Sequence, residues 1–230
     1  MLIADRRKQL TEYIEKQGKA TVSELSKVFF ASEPTIRRDL TELEKSGIIE
    51  KVYGGAMVKG AADREIPMTE RESSALLAKD IIAKKAADLV KDGDVIILDG
   101  SSSAKAIVKY LTVFKDIIVI TSGAKTAVEL AQAGIRTFCT GGRMITRSFS
   151  YVGKHAQDYI AGLNADILFF SCHGLEGDYA TDLSSEETEL RRVMMKHAKK
   201  KVLLCDKSKM GKTYLYNVCN INEVDKIISE

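Results

Sequence analysis

Apolar residues recur at helical spacing in the first two segments of the chain. In residues 2–17 the apolar stripe consists of Ile3, Leu10 and Ile14. The next segment opens with Thr21 and Glu24, a T-x-x-E pair whose side chains satisfy free amides at the start of a helix. Leu25, Val28 and Phe29 supply the stripe that follows. The pattern therefore predicts two amphipathic helices joined by a short connection.

A third helix is predicted after Ser32, a residue that commonly caps helices, with Pro34 in a first turn that needs no internal amide partners. Its apolar stripe consists of Ile36, Leu40 and Leu43. At about 100° per residue, the opposite face carries Pro34, Arg38, Thr41 and Lys45, with Thr35 and Arg37 on its flanks. The two adjacent arginines are therefore expected to point away from the core.

In residues 47–58, "GIIEKVYGGAMV", Ile48 and Val52 flank polar residues at strand-like positions, and the pair Gly54 and Gly55 can make a tight turn. Strand-like positions around a glycine turn are typical of a small β-hairpin. Three short helices followed by a hairpin are the plan of a winged helix-turn-helix domain that binds double-stranded DNA. The residues placed to contact operator DNA are Thr35, Arg37, Arg38, Lys45, Tyr53, Gly54 and Gly55.

The pattern changes after a polar segment, residues 59–72, that carries one of the two prolines of the chain and has no strong periodicity. From residue 73 onward, short apolar runs such as "DVIILD", "DIIVIT", "ADILFF" and "KVLLC" alternate with helical segments. This alternation predicts an α/β fold with a mainly parallel sheet covered on both faces. The predicted organisation is a DNA-binding domain over 1–58, a linker over 59–72 and a larger α/β domain over 73–230.

Small and polar residues follow several of the predicted strands. In an open α/β sheet these loops gather at the carboxyl edge, where ligands bind. Serines before a helix suit a phosphate, glycines allow close approach of backbone amides, and cationic side chains add charge. The residues predicted to bind a small anionic ligand are Asp99, Ser101, Ser102, Ser103, Ser122, Gly123, Gly141, Gly142, Arg143 and Lys209.

Composition narrows the class of protein without naming a ligand. Hydrophobic residues are 45% and charged residues 29% of the 230, which is ordinary for a soluble globular protein. No apolar run approaches the roughly 20 residues of a membrane span, and no secretory signal opens the chain, so we expect a cytoplasmic protein without a membrane partner. The net charge of +3 is too small to identify a nucleic-acid partner.

The sequence gives little support for a second basic binding surface, a disulfide, a metal site or a nucleotide-binding motif. The densest basic stretch, residues 191–212, is interpreted as the end of a helix that begins with acidic residues, in accord with the helix dipole. The four cysteines, at 139, 172, 205 and 219, lack C-x-x-C spacing and are interpreted as reduced core residues. No metal-ligand pattern, Walker motif or G-x-G-x-x-G fingerprint occurs, so no cofactor is predicted.

The segment "TIRRDLTELEKSGIIEKVYGGA", 35–56, resembles the helix-turn-helix and wing of the DeoR family of bacterial transcriptional regulators. The second half of the chain also resembles this family, in the segments "IIAKKAADLVKDGDVIILD", "CTGGRMITRSFSYVG" and "KVLLCDKSKMG". The resemblance implies a sensor domain with the fold of ribose-5-phosphate isomerase that binds a phosphorylated sugar or related metabolite. The chain departs from the family where Asp99-Gly100-Ser101-Ser102-Ser103 and Thr121-Ser122-Gly123 replace its usual threonine-rich and asparagine-containing loops.

The hypothesis drawn from these patterns is a repressor of sugar-metabolism genes, a homodimer or higher oligomer, whose operator binding responds to a sugar phosphate. One alternative is a sugar-phosphate isomerase, for which Asp99 or Glu187 are the candidate bases. A second alternative is a DNA-binding regulator whose sensor domain only oligomerises. The sequence does not specify the sugar, the operator, or the direction of the response.

Overall fold

The computed structural model describes residues 3–17, 19–45, 49–52, 54–58 and 67–230. The chain forms two compact units, Met1–Arg64 and Glu65–Glu230. Among the described residues, no helix is both long and apolar enough to cross a membrane.

The first unit contains the predicted helices and hairpin. Its elements are α1 (Ile3–Gln17), β1 (Lys19–Thr21), α2 (Val22–Val28), α3 (Glu33–Lys45), β2 (Ile49–Val52) and β3 (Gly55–Val58). Strand β3 lies between β1 and β2 and pairs antiparallel with both, so the predicted hairpin is confirmed. The buried core of this unit includes Leu10, Ile14, Leu25, Ile36, Leu40 and Ile49.

Local chemistry fixes where these helices begin. Thr21 caps α2 by accepting a hydrogen bond from the Glu24 amide, and the Glu24 side chain reaches back to complete the predicted capping box. The turn between α2 and α3 contains Phe30 at φ +50°. Because α2 ends before this turn, α3 begins in a new direction and buries Ile36, Leu40 and Leu43 against the rest of the unit.

The second unit alternates strands and helices. Its helices are α4 (Met68–Ser73), α5 (Leu76–Ala87), α6 (Ser102–Lys105), α7 (Val108–Leu111), α8 (Ala124–Gln132), α9 (Lys154–Ala161) and α10 (Ser185–Lys196). Its strands are β4 (Val95–Leu98), β5 (Ile118–Thr121), β6 (Arg136–Cys139), β7 (Arg143–Ile145), β8 (Ser150–Val152), β9 (Ala165–Ser171), β10 (Gly174–Glu176), β11 (Tyr179–Asp182), β12 (Ala198–Leu204), β13 (Tyr216–Asn220) and β14 (Lys226–Ile228).

The main sheet has the order β14-β12-β9-β4-β5-β6, and each neighbouring pair is parallel. In β4, Ile96 and Leu98 pack into one hydrophobic cluster and Ile97 into a second. Because successive side chains of a strand point to opposite faces, both faces of the sheet are covered. The predicted α/β fold with a mainly parallel sheet is confirmed.

The structure differs from the sequence-based expectations at several elements. Residues 68–72 of the predicted linker, together with Ser73, form α4, and Met68 is buried; residues 59–66 lie outside the described part. Helix α10 ends at Lys196, and residues 198–204 form β12, so the lysines at 199–201 lie on a strand rather than in a last helical turn. Cys139 is exposed because β6 is the edge strand, whereas the other three cysteines are buried.

Candidate DNA-binding face and effector site

Helix α3 presents the two adjacent arginines to solvent. Ile36, Leu40 and Leu43 are buried on its inner face, which turns Arg37 and Arg38 outward. Arg37 forms an ion pair with Glu33 at 3.3 Å, and its side chain is 58% exposed. Within the described part of the chain, Arg38 has no ion-pair partner. A guanidinium group without an internal partner keeps its full donor capacity for a ligand.

The other residues predicted to contact DNA lie around this face and in the hairpin. Thr35 Oγ1 is 2.8 Å from Ser32 Oγ, and Lys45 pairs with Glu42 while remaining 69% exposed. Gly54 adopts φ +79°, and a Cβ on Gly55 would lie 2.3 Å from the Ala20 carbonyl oxygen, so both positions favour glycine. Tyr53 lies outside the described residues.

A buried carboxylate sets the position of α3, and the sequence patterns did not reveal it. Asp39 is 2% exposed and accepts hydrogen bonds from Arg6 Nε at 2.6 Å and Arg7 Nε at 2.9 Å. Both arginines belong to α1. The two ion contacts therefore fix α3, the helix that carries Arg37 and Arg38, against α1.

In the second unit, Asp99 follows β4 and lies at the centre of a buried hydrogen-bond network. It accepts hydrogen bonds from the Ser101 amide, the Ser171 amide and Arg191 Nε, at 3.0, 3.1 and 2.7 Å. The Ser101 hydroxyl also donates to it. Both carboxylate oxygens of Asp99 thus have protein donors, and the residue holds the loop after β4 against β9 and α10.

The serine loop and the loop after β5 lie in contact. Ser101 caps α6 by accepting from the Ala104 amide at 3.1 Å, and Ser102, Ser103 and Ser122 are buried. A Cβ on Gly100 would lie 2.0 Å from Ser150 Oγ, and one on Gly123 would lie 3.2 Å from the Gly100 Cα. The glycines therefore allow two strand-end loops and β8 to approach closely, as the ligand-site prediction requires.

The glycines and arginine after β6 have other neighbours. Gly141 and Gly142 adopt φ values of +64° and +105°, and a Cβ on them would meet the His155 ring and the Val152 carbonyl. Arg143 is 60% exposed and pairs with Glu186 of α10. These described contacts fix the β7–β8 hairpin against α9 and α10, and do not join the three residues to the serine loop.

Lys209 lies close to the Asp99 network. Its Nζ donates to Ser171 Oγ at 2.7 Å and is 3.6 Å from Asp206, and the Ser171 amide in turn donates to Asp99. Lys209 therefore places a cation near the carboxyl end of β12. Ser171 connects it by hydrogen bonds to Asp99, at the start of the loop after β4.

A second lysine, Lys79 of α5, is buried nearby and was not predicted. Its Nζ donates to the carbonyls of Ser74, at 2.7 Å, and of Arg71. Burial, followed by the charge of Lys209, lowers the pKa of Lys79 to about 8. The sequence signal was a lysine, followed by Asp80, between the apolar residues of the helical stretch "LLAKDII".

Arg191 is the centre of a buried ion network. The sequence patterns had instead placed this residue at a solvated helix end. It is 4% exposed and lies 2.7 Å from both Asp99 and Asp182, and 3.8 Å from Glu187. Burial alone would lower the pKa of Arg191, but the charges of Asp182, Asp99 and Glu187 outweigh that effect and raise it. Asp182 Oδ2 also lies 3.0 Å from His173 Nδ1.

Helix α4 contacts the helices that follow the two serine-containing loops. Glu72 lies 3.4 Å from Lys105 of α6 and 2.8 Å from Lys125 of α8. Burial raises the pKa of Glu72, but hydrogen bonds and charges from Lys125 and Lys105 outweigh it and lower the pKa. These ion pairs hold α4 over the side of the sheet where the ligand site is predicted.

Comparison with protein families agrees with this architecture. The DeoR-like helix-turn-helix domain matches residues 6–60, and the DeoR C terminal sensor domain matches residues 75–230. The chain belongs to the DeoR family. It is a DNA-binding transcriptional regulator, and operator DNA is its partner.

Similar DeoR-type proteins align with this regulator over nearly its full length. The HTH-type transcriptional regulator GolR of Listeria innocua is 37% identical, over 98% of this chain and 90% of its own. The putative aga operon transcriptional repressor of Escherichia coli is 29% identical, over 98% and 85%. The lactose phosphotransferase system repressor of Staphylococcus epidermidis is 27% identical, over 98% and 91%. These relatives are named as regulators or repressors, so the isomerase alternative is set aside and the DeoR-family chain is not an enzyme.

Solved structures support the fold. The translation initiation factor eIF-2B of Pyrococcus horikoshii matches with a TM-score of 0.51 and 17% identity, over 97% of this chain and 82% of that one. Ribose 5-phosphate isomerase A of Methanocaldococcus jannaschii matches with a TM-score of 0.43 and 20% identity, over 57% and 53%. At these identities the likeness concerns the fold alone, and the second score is too low to support an argument.

Proposed function

We propose that this regulator is a repressor of sugar-metabolism genes whose operator affinity changes when a phosphorylated sugar or related metabolite binds at the carboxyl edge of the sensor sheet. The observation that supports this most is a group of buried hydroxyls without hydrogen-bond partners among the described residues, carried by Ser103, Thr126, Ser148 and Ser150. Buried polar groups are nearly always hydrogen-bonded, so these hydroxyls favour a polar ligand or water at this edge.

Charge at the same edge favours an anion. Lys209 lies at the end of β12 beside Ser171, and Lys79 is buried close enough for the two charges to repel. An anionic group would reduce that repulsion. The relatives named for the aga operon and for lactose phosphotransferase support a sugar as the rest of the ligand.

In the DNA-binding unit, Arg38 is proposed to read base edges in the major groove, and Arg37 to read bases or hold a phosphate. Thr35 and Lys45 are proposed to hold phosphates, and Tyr53, Gly54 and Gly55 to lie at the DNA backbone or minor groove. A good bidentate arginine contact with a base discriminates by about 1–3 kcal/mol. A homodimer or higher oligomer would match a symmetric operator.

The role of Arg38 is tested by competition between an operator fragment from a regulated promoter and random DNA of equal length. Arg38→Ala is expected to reduce the preference for the operator about 5- to 150-fold, which corresponds to the loss of one base contact. Lys45→Ala is the matched control on the same face and should weaken binding to both DNAs equally. An unchanged operator preference in Arg38→Ala, with unchanged far-UV circular dichroism, would refute the assignment.

The effector is tested by thermal shift and by operator binding against a panel of phosphorylated sugars. At least one sugar phosphate is expected to raise the melting temperature of the full chain and to change its operator affinity, and Lys209→Ala should weaken both responses. Lys207→Ala, an exposed lysine in the same turn, is the control. If no phosphorylated sugar changes either quantity, the sensor domain has another role, such as oligomerisation alone.

A further inference from the structure

A small cavity lies beside the loops after β4 and β5, and two of its lining residues, Asp99 and Ser122, belong to the proposed ligand site. It is lined by Asp99, Gly100, Ser122, Ser150, Glu187 and Arg191, among others, and its volume is about 10 Å³. That is the room of one water-sized group. A phosphate or carboxylate group is larger, so only a small group such as a hydroxyl fits in it.

Two buried polar atoms of the cavity lining have no hydrogen-bond partner among the described residues. They are Oγ of Ser150, which is 1% exposed, and Oε2 of Glu187, which is 4% exposed. Arg191 Nη2 lies 3.8 Å from Glu187 Oε2, beyond hydrogen-bond distance. A carboxylate oxygen accepts hydrogen bonds only, so the group that completes this site must be a donor.

The charges around the cavity exclude a second anion. Three carboxylates, those of Asp99, Asp182 and Glu187, lie within 4 Å of the guanidinium of Arg191, and His173 lies 3.0 Å from Asp182. Lys209, the cation proposed to hold a phosphate, lies 3.6 Å from Asp206, and hydrogen bonds through Ser171 link it to Asp99. An anionic group near Glu187 would be repelled in a weakly screened interior.

Resting on the proposed function, we propose that Glu187 is a specificity-determining residue that selects sugars with a single phosphate and an uncharged, hydroxyl-bearing opposite end. A ligand hydroxyl donates to Glu187 Oε2 and can accept from Ser150 Oγ, while sugar bisphosphates and phosphorylated sugar acids are rejected. Two independent observations support this proposal. The cavity size limits the bound group to one as small as a hydroxyl, and the excess of carboxylates requires that group to be neutral.

The test measures dissociation constants of the full chain for matched ligand pairs. The pairs are fructose 1-phosphate and fructose 6-phosphate against fructose 1,6-bisphosphate, glucose 6-phosphate against 6-phosphogluconate, and ribulose 5-phosphate against ribulose 1,5-bisphosphate. Among pairs in which the monophosphate binds, the doubly anionic partner is expected to bind at least about tenfold more weakly. Equal or tighter binding of the doubly anionic partner would overturn the proposal while leaving the proposed function intact.

Glu187→Gln removes the charge and keeps an acceptor oxygen, so it separates charge selection from steric fit. In this variant the preference for the monophosphate is expected to fall at least about fivefold. Glu189→Gln, an exposed position on the same helix, should leave the preference unchanged. An unchanged preference in Glu187→Gln would show that the cavity holds a structural water only. Absence of binding by every phosphorylated sugar would instead refute the proposed function, and this proposal with it.

Discussion

At the scale of single residues, the environment of Arg191 decides its role. In sequence it is one of several basic residues after an acidic helix start, which is typical of a solvated helix end. In the structure it is buried and joins α10 to Asp99 after β4 and to Asp182 of β11. The difference arises because burial depends on which strands pack against a helix, and that information is absent from local spacing.

Arg191→Met is expected to lower the free energy of unfolding of the full chain by about 3–5 kcal/mol, because it leaves buried carboxylates without their cation. Calorimetry or urea unfolding measures the change in the sensor transition. Arg143→Met, which removes an exposed ion pair with Glu186, should cost no more than about 1 kcal/mol. A loss for Arg191→Met as small as that of the control would contradict a structural role for the network.

Other residue positions followed from sequence more directly. The outward direction of Arg38 was predicted from the helical spacing of Ile36, Leu40 and Leu43. An amphipathic helix buries its one apolar stripe, so residues on the opposite face point to solvent. The approach of the serine loop to Ser122 and Gly123 followed from the rule that strand ends share an edge. Lys79 and Glu187 could not be placed in this way. The burial of Lys79 depends on its contact with Arg71 of α4, and that of Glu187 on the residues around Arg191.

At the scale of elements, the contact between α1 and α3 matters most for DNA binding. Asp39 lies in the middle of α3 and is held by Arg6 and Arg7 of α1. A residue that contacts DNA must be accessible from solvent, and Asp39 is only 2% exposed. Its effect on DNA binding is therefore expected to act through the position of α3.

Asp39→Asn is expected to lower the stability of the DNA-binding unit by about 1–3 kcal/mol, because it keeps the shape and removes the charge that both arginines face. Operator affinity should fall with it. Glu33→Gln is the control, since it removes an exposed ion pair on the same helix and should change stability by less than about 0.5 kcal/mol. If thermal unfolding of Asp39→Asn matches that of the control, the contact does not position α3.

Elements with a periodic or continuous apolar pattern were predicted, and most strands of three residues were not. The helices of the first unit and β4, β5, β9 and β12 had periodic or continuous apolar patterns. Strands β7, β8, β10 and β14 have three residues each, too few to show a period. Helix α4 lies in a polar stretch that resembles a linker, and it is fixed by buried Met68 and the ion pairs of Glu72, neither of which is a local signal.

At the scale of the whole molecule, the two units carry different functions on one chain, and a response to a metabolite requires that binding at one affect the other. The free energy that couples two ligands on one protein is the same whichever binds first. Typical couplings change affinity about 5- to 150-fold. Any effector of this regulator must therefore have an affinity that depends on operator DNA.

This reciprocity gives a test of regulation that does not depend on the direction of the response. The sugar phosphate with the largest thermal shift is titrated against the full chain with and without saturating operator, and operator affinity is measured with and without that sugar phosphate. The two ratios of dissociation constants, each measured with the other ligand saturating, are expected to agree. In Lys209→Ala the effector binds more weakly, so the sugar phosphate at the concentration that saturates the original chain should change operator affinity less. Random DNA of equal length should give a smaller ratio if coupling requires the operator-bound form. A sugar phosphate that alters operator binding while its own affinity is the same with and without operator would act outside the sensor site, since equilibrium coupling through one chain must be mutual.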